Sequence, residues 1–149
     1  MNNRNGAQAV QVSELIFKIV QAGHLVDGRL DTILESHGLS VAKIGLLRHL
    51  AEAEGPITLG QLAERLACVK SNVTQLVDRL EADGLARRTP DSEDRRSIRA
   101  VITDKGRQMF AAGLQAQQEA ERRLARSLTP DEQAQLAALL DRFIEGSSH

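Results

Sequence analysis

Apolar residues recur along this chain at spacings that alternate between helix and strand. From Val12, the positions Leu15, Ile16, Ile19, Val26, Leu30, Ile33 and Leu34 form one helical stripe reaching about Glu35. His37-Gly38 ends it, with Gly38 suited to the left-handed residue beyond a helix. Ser40 is placed to cap a second helix whose Ile44, Leu47 and Leu50 face inward, and Gly55-Pro56 closes that element. Thr58-x-x-Gln61 spells a capping box, in which each side chain satisfies the other's free backbone N–H. Behind it Leu59, Leu62, Ala63 and Leu66 form a short third stripe. After a break at Ala67-Cys68-Val69, the positions Val73, Leu76, Val77 and Leu80 form a fourth, stopped at Gly84.

Past Gly84 the period shortens to two. Residues 85–89 and 97–102 are expected to be strands, the second with Ile98, Ala100 and Ile102 on one face, joined by the polar loop 90–96. Thr103 then caps a fifth helix carrying Phe110, Leu114, Leu124 and Leu128. Thr129-Pro130-Asp131-Glu132 starts a sixth, with Leu136, Leu139, Leu140, Phe143 and Ile144 on its apolar face. The pattern predicts a mainly α fold with a small β-hairpin: four helices, two strands, two helices. The long first helix and the two closing ones carry more apolar surface than so small a centre can cover, so a second copy of the chain is expected against them.

Composition sets limits on this picture. The 149 residues suit one domain with its own core. No apolar run is long enough for a membrane span, and the first residues lack a signal-peptide pattern, so a cytoplasmic location is expected. The single cysteine, Cys68, excludes an internal disulfide framework. Net charge is −1. Residues 56–100 hold eight Lys+Arg against seven Asp+Glu and the remainder eleven against thirteen, so the positions of the charges matter more than their number. With no Trp or Tyr and only three Phe, the chain cannot easily build a stacking platform for single strands, which points any nucleic-acid partner toward duplex.

Removing the apolar stripe of the fourth helix leaves Ser71, Asn72, Thr74, Gln75, Asp78 and Arg79 on the other face, with Lys70 just ahead. Asn and Gln pair with adenine edges, Ser and Thr with donors or acceptors, and a helix N-terminus attracts phosphate. The following hairpin holds Arg87, Arg88, Arg95, Arg96 and Arg99, interleaved with Asp91, Glu93 and Asp94. Asp94 is expected to fix a nearby arginine by a charge-assisted bond, and an arginine so arranged loses little entropy on entering a narrow minor groove. The plainer readings are a solvated helix face and a merely soluble turn. The succession helix, short turn, helix, basic hairpin favours a helix-turn-helix with a wing.

The run VKSNVTQLVDRLEADGLARRTPDSEDRRSIRAVITDKG resembles the winged helix-turn-helix core of the MarR (multiple antibiotic resistance regulator) family, and the flanking helices follow in the family's order. The resemblance implies one domain over 1–149, with 40–103 as the DNA-binding core and 8–36 and 104–146 as dimerisation helices. It implies a homodimer joined through the first, fifth and sixth helices and bound to pseudo-palindromic operators in double-stranded DNA, most members being repressors released by a small ligand or by cysteine oxidation. Ser71, Asn72, Thr74 and Gln75 match the major-groove positions. Asp94-Arg95-Arg96 matches the wing motif, with Arg96 in the minor groove, Asp94 its organiser and Arg95 on phosphate. Lys70 and Arg79 complete the candidate DNA-binding set.

Three candidates for a controlling signal stand beside this. Cys68 sits near a helix N-terminus and Lys70, which would lower a thiol pKa and make it redox-responsive; the alternative is a small buried hydrophobe. The family's peroxide sensors carry their cysteine near the start of the first helix, where this chain has none. His24, His37, His49 and His149 show no metal-binding spacing, so no metal and no cofactor is expected. The resemblance places an effector pocket between the dimer helices and the winged core, where His24, Arg29, Arg48 and His49 would orient a small anionic aromatic acid; each is otherwise an exposed residue or dimer contact. Two other classes compete. A winged helix can bind protein instead of DNA. An enzyme would need a nucleophile, base and orienter that Cys68 and four scattered histidines do not assemble, so no catalysis is expected.

Overall fold

The computed structural model describes residues 11–66 and 70–147. Cys68, His149 and the first residues of the expected dimerisation segment 8–36 lie outside the described residues, as does the side chain of Lys70. In chain order the elements are α1 (Val12–Glu35), α2 (Val41–Glu52), β1 (Ile57–Thr58), α3 (Leu59–Arg65), α4 (Lys70–Ala82), β2 (Ala86–Pro90), β3 (Ile98–Ile102), α5 (Asp104–Ala125) and α6 (Pro130–Ser147).

Local chemistry explains the helix boundaries. At the end of α1, Gly38 takes φ +69°, which lets the Leu39 N–H reach back to the Leu34 carbonyl at 3.0 Å. Gly84, at φ +74°, does the same for α4, with Leu85 N–H on the Leu80 carbonyl at 2.8 Å. The start of α2 is satisfied twice: Ser40 Oγ accepts from Lys43 N–H at 3.1 Å, and Asp31 of α1 accepts from Val41 N–H at 2.6 Å. Thr58 and Gln61 form the expected reciprocal capping box, both bonds 3.1 Å. Thr129 and Glu132 exchange the same pair of bonds at the start of α6.

The sheet departs from a two-stranded hairpin. Its order is β1-β3-β2, all antiparallel, with Ile57 opposite Ala100 and Ala86 opposite Ile102. A strand of two residues is too short to show a period, and Pro56 ahead of it reads as a turn, which is why the sequence pattern misses β1. Pro90 ends β2 as an edge residue, where its missing N–H costs no ladder bond. Along β3, Ala100 and Ile102 are buried while Ile98 is exposed near the hairpin tip.

The core lies between α2, α3, α4 and the sheet, centred on Leu46, Leu47, Leu62, Leu80 and Leu85, each with no exposed surface. Helix α5 closes over it through two glycines. A Cβ on Gly106 would overlap the Leu85 carbonyl oxygen, and one on Gly113 would overlap the Leu39 side chain. Most of the apolar surface of α1 and α6 is left uncovered by the described residues. Of the stripe on α1 only Leu30 and Leu34 are buried, and Val12, Leu15, Ile16, Phe17 and Val20 are exposed. Helix α6 has no buried residue, with Leu136, Leu139, Phe143 and Ile144 all open to solvent.

Candidate nucleic-acid interface

Val73, Val77 and Leu80 are fully buried, and they fix the rotation of α4 about its own axis. The opposite face then presents Ser71, Asn72, Gln75, Asp78 and Arg79 to solvent, while Thr74 is half-buried at the flank. Four neutral or basic side chains that can hydrogen-bond to base edges or phosphates therefore share one exposed strip, as the spacing predicts. Two grooves border it. On the wing side, Thr58, Gly60, Thr74, Arg88, Arg96 and Ser97 line a notch of about 330 Å³. On the other side, Asn72, Gln75 and Arg79 border a shallow groove of about 380 Å³ floored by Ala42, Leu66 and Leu76.

The wing's five arginines divide into two groups. Arg87, Arg95 and Arg96 are exposed. Arg88 and Arg99 are committed within the protein. Arg99 donates to the Pro56 carbonyl at 3.0 Å and pairs with Asp91 at 3.2 Å, whose side chain is 8% exposed. Arg88 pairs through separate nitrogens with Asp78 and Glu81 of α4, each at 2.6 Å, and donates to the Thr74 carbonyl at 3.4 Å.

Asp94 therefore plays a different part from the one expected of it, and Asp91 takes the expected one. Asp94 takes the backbone N–H of Arg96 at 2.9 Å in a tight turn, while its own carbonyl accepts from Ser97 N–H at 2.9 Å. It organises the backbone that carries Arg96 rather than an arginine side chain. The acid that fixes a guanidinium is Asp91, which also accepts from Glu93 N–H at 3.1 Å. That backbone bond, outweighing burial and reinforced by Arg99, holds the Asp91 carboxyl below its ordinary value of 3.8. At Arg88, burial works against the charge, but the bonds and charges of Asp78 and then Glu81 prevail and raise its pKa.

Sequence reasoning missed the Arg88 cluster, although a signal existed. Once Val73, Val77 and Leu80 face inward, Thr74, Asp78 and Glu81 at i, i+4 and i+7 form a flanking stripe aimed at whatever follows α4. The four effector candidates are less organised. His24 and Arg29 are exposed on α1, and Arg48 and His49 are half-buried neighbours on α2, which project in different directions. Neither groove at α4 includes them. Among the described residues no three His, Cys, Asp or Glu side chains gather as a metal site, and no described helix is long and apolar enough to cross a membrane.

A short polar-faced helix set on a helical support, with a basic antiparallel wing beside it, defines a winged helix-turn-helix protein. Comparison with known proteins gives the family. Residues 37–97 match the MarR family model. The regulator YkoM of Bacillus subtilis (strain 168), named as an uncharacterized HTH-type transcriptional regulator, is 35% identical over 115 residues, covering 77% of this chain and 74% of its own. The HTH-type transcriptional repressor MdtR of the same organism is 30% identical over 114 residues, 76% and 73% of the two chains. Among solved structures, a mutant MarR from E. coli complexed with operator DNA superposes with a TM-score of 0.76 at 25% identity, over 90% of this chain and 99% of that one. The chain belongs to the MarR family of transcriptional regulators.

Proposed function

We propose that the protein is a homodimeric repressor that reads a pseudo-palindromic operator in duplex DNA and is released by a small anionic aromatic effector. The observation that carries the reading is the strip of Ser71, Asn72, Gln75 and Arg79 opposite a fully buried anchor, next to a wing that exposes Arg95 and Arg96. In this reading α4 enters the major groove and Lys70 meets a phosphate ahead of it, while the wing lays Arg96 in the adjoining minor groove and Arg95 on the backbone. Segment 40–103 is the reader, and 8–36 with 104–146 join two copies. Repression accords with the name of the relative MdtR. An anionic effector would draw on His24, Arg29, Arg48 and His49, the basic groups that the family resemblance puts near a pocket between the dimer helices and the reader.

A gel shift with the protein's own promoter region tests the DNA reading. Arg96→Ala is expected to bind more weakly, and the slope of log affinity against log salt to shrink by about 0.9, one phosphate-equivalent charge. A wild-type protein that fails to shift any duplex at low salt would end this reading.

A further inference from the structure

Arg88 belongs by sequence to the basic wing, but its surroundings give it a different task. Its side chain is 23% exposed and its guanidinium forks between Asp78 and Glu81, with a third bond to the Thr74 carbonyl. Its backbone N–H also faces the Glu81 carboxylate at 3.4 Å. All three partners lie on α4. To reach a phosphate the side chain would have to abandon two charge-assisted bonds, and the DNA would gain one cation while facing two freed carboxylates.

Within the sheet β2 is an edge that pairs only with β3, and its one other described backbone bond is the long one from Arg88 N–H to the Glu81 side chain. Ahead of the hairpin loop, its attachment to the reading helix therefore falls to side chains. Ala86 and Arg88 alternate onto the face turned to α4, and Ala86 is too small to set an angle. Single exposed ion pairs contribute little, but a forked arginine joining two acids and a carbonyl is a network with fixed geometry. Asp78 and Glu81 also matter on their own account. They are 59% and 40% exposed on a helix that is to lie against phosphates, so their charge needs a compensating cation from the protein.

We propose that Arg88 is a positioning residue that straps the wing to the recognition helix and masks two of its carboxylates, setting the wing's angle for DNA without touching DNA itself. The inference rests on the DNA-reading role above and deepens it. It makes the Arg88–Asp78–Glu81 cluster the joint through which the helix in one groove and the wing in the next are held at a fixed mutual angle.

The test compares Arg88→Gln and Arg88→Lys with wild type in two measurements. Hydrogen exchange on the free protein is expected to show faster exchange at residues 86–102 in both variants, with α2 and α5 unchanged. Unchanged wing exchange would overturn the proposal whether or not the protein binds DNA. Operator affinity against salt is expected to fall on the order of tenfold in both variants, with the salt slope unaltered, because no phosphate contact is lost. Lysine fails with glutamine because a single ammonium does not reproduce the fork. If Arg88→Lys instead binds like wild type while Arg88→Gln loses about one unit of slope, Arg88 is a phosphate contact and the proposal is wrong. Wild-type binding in the same titration separates that failure from failure of the DNA reading.

Discussion

Leu139→Glu is expected to leave a folded monomer whose operator affinity is lower by on the order of a hundredfold. Leu139 is 59% exposed near the middle of α6, a helix with no fully buried residue in its own chain. Because it contributes nothing to the described core, the substitution should not disturb the protomer, and Glu is a good helix former. In a dimer joined through α6 and related by a two-fold axis, the introduced charge would enter the interface twice and have to be desolvated each time. Two linked reading heads bind far more tightly than one, so separating the copies costs the second half-site altogether. Sedimentation gives the oligomeric state and fluorescence anisotropy the affinity. A Leu139→Glu protein that stays dimeric and binds normally would place the interface elsewhere than on α6.

Gly106→Ala is expected to lower the melting temperature by about 5–10 °C, the reverse of what glycine replacement inside a helix normally does. An added methyl would strike the carbonyl oxygen of Leu85, a residue with no exposed surface, and lie 2.8 Å from Ile102 Cγ1. Neither obstacle is a flexible side-chain end. The Leu85 carbonyl accepts the Thr103 N–H at 3.0 Å, and Thr103 in turn caps α5 on the Gly106 N–H at 3.0 Å. Relief would therefore have to open the junction between the root of the wing and α5, at about 1–3 kcal/mol for such overpacking. Gly60→Ala serves as the comparison, since its nearest neighbour is Thr58 Oγ1 at 4.0 Å. Calorimetry on the two variants should give opposite or clearly unequal shifts, and equal shifts would contradict the packing argument.

Features written in local chemistry were legible from the residues. The caps at Ser40, Thr58, Thr103 and Thr129 and the left-handed glycines Gly38 and Gly84 depend on a few adjacent side chains, and all six stand where their spacing places them. Strand β1 was not legible, because it exists only through its pairing with β3. The close approach at Gly106 was hidden for a similar reason: it needs the position of Leu85 relative to α5, which no window of sequence contains.

At the interface the division is sharper. Burial of Val73, Val77 and Leu80 follows from helical spacing, and with it the exposed strip on α4. The same burial turns Thr74 to the flank instead of the centre, where its backbone carbonyl accepts from Arg88. The sequence singles out Arg95 and Arg96 but does not separate Arg88 and Arg99 from Arg87, whereas the first two of these are held by acids whose partners cannot be assigned from composition. Interleaved Asp and Glu did signal that some charges are internally paired. The Arg88 pairs depend on the hairpin folding back over α4, and the Arg99–Asp91 pair on the register of β2 against β3.

Hydroxyl-radical footprinting of the promoter duplex is the most direct measurement of the central claim, that two copies of the α4-and-wing surface read one operator together. The expected result is two protected half-sites roughly 34 Å apart on one side of the helix, with flanking minor-groove protection that Arg96→Ala removes. A single protected patch, or protection spread evenly without regard to sequence, would contradict it.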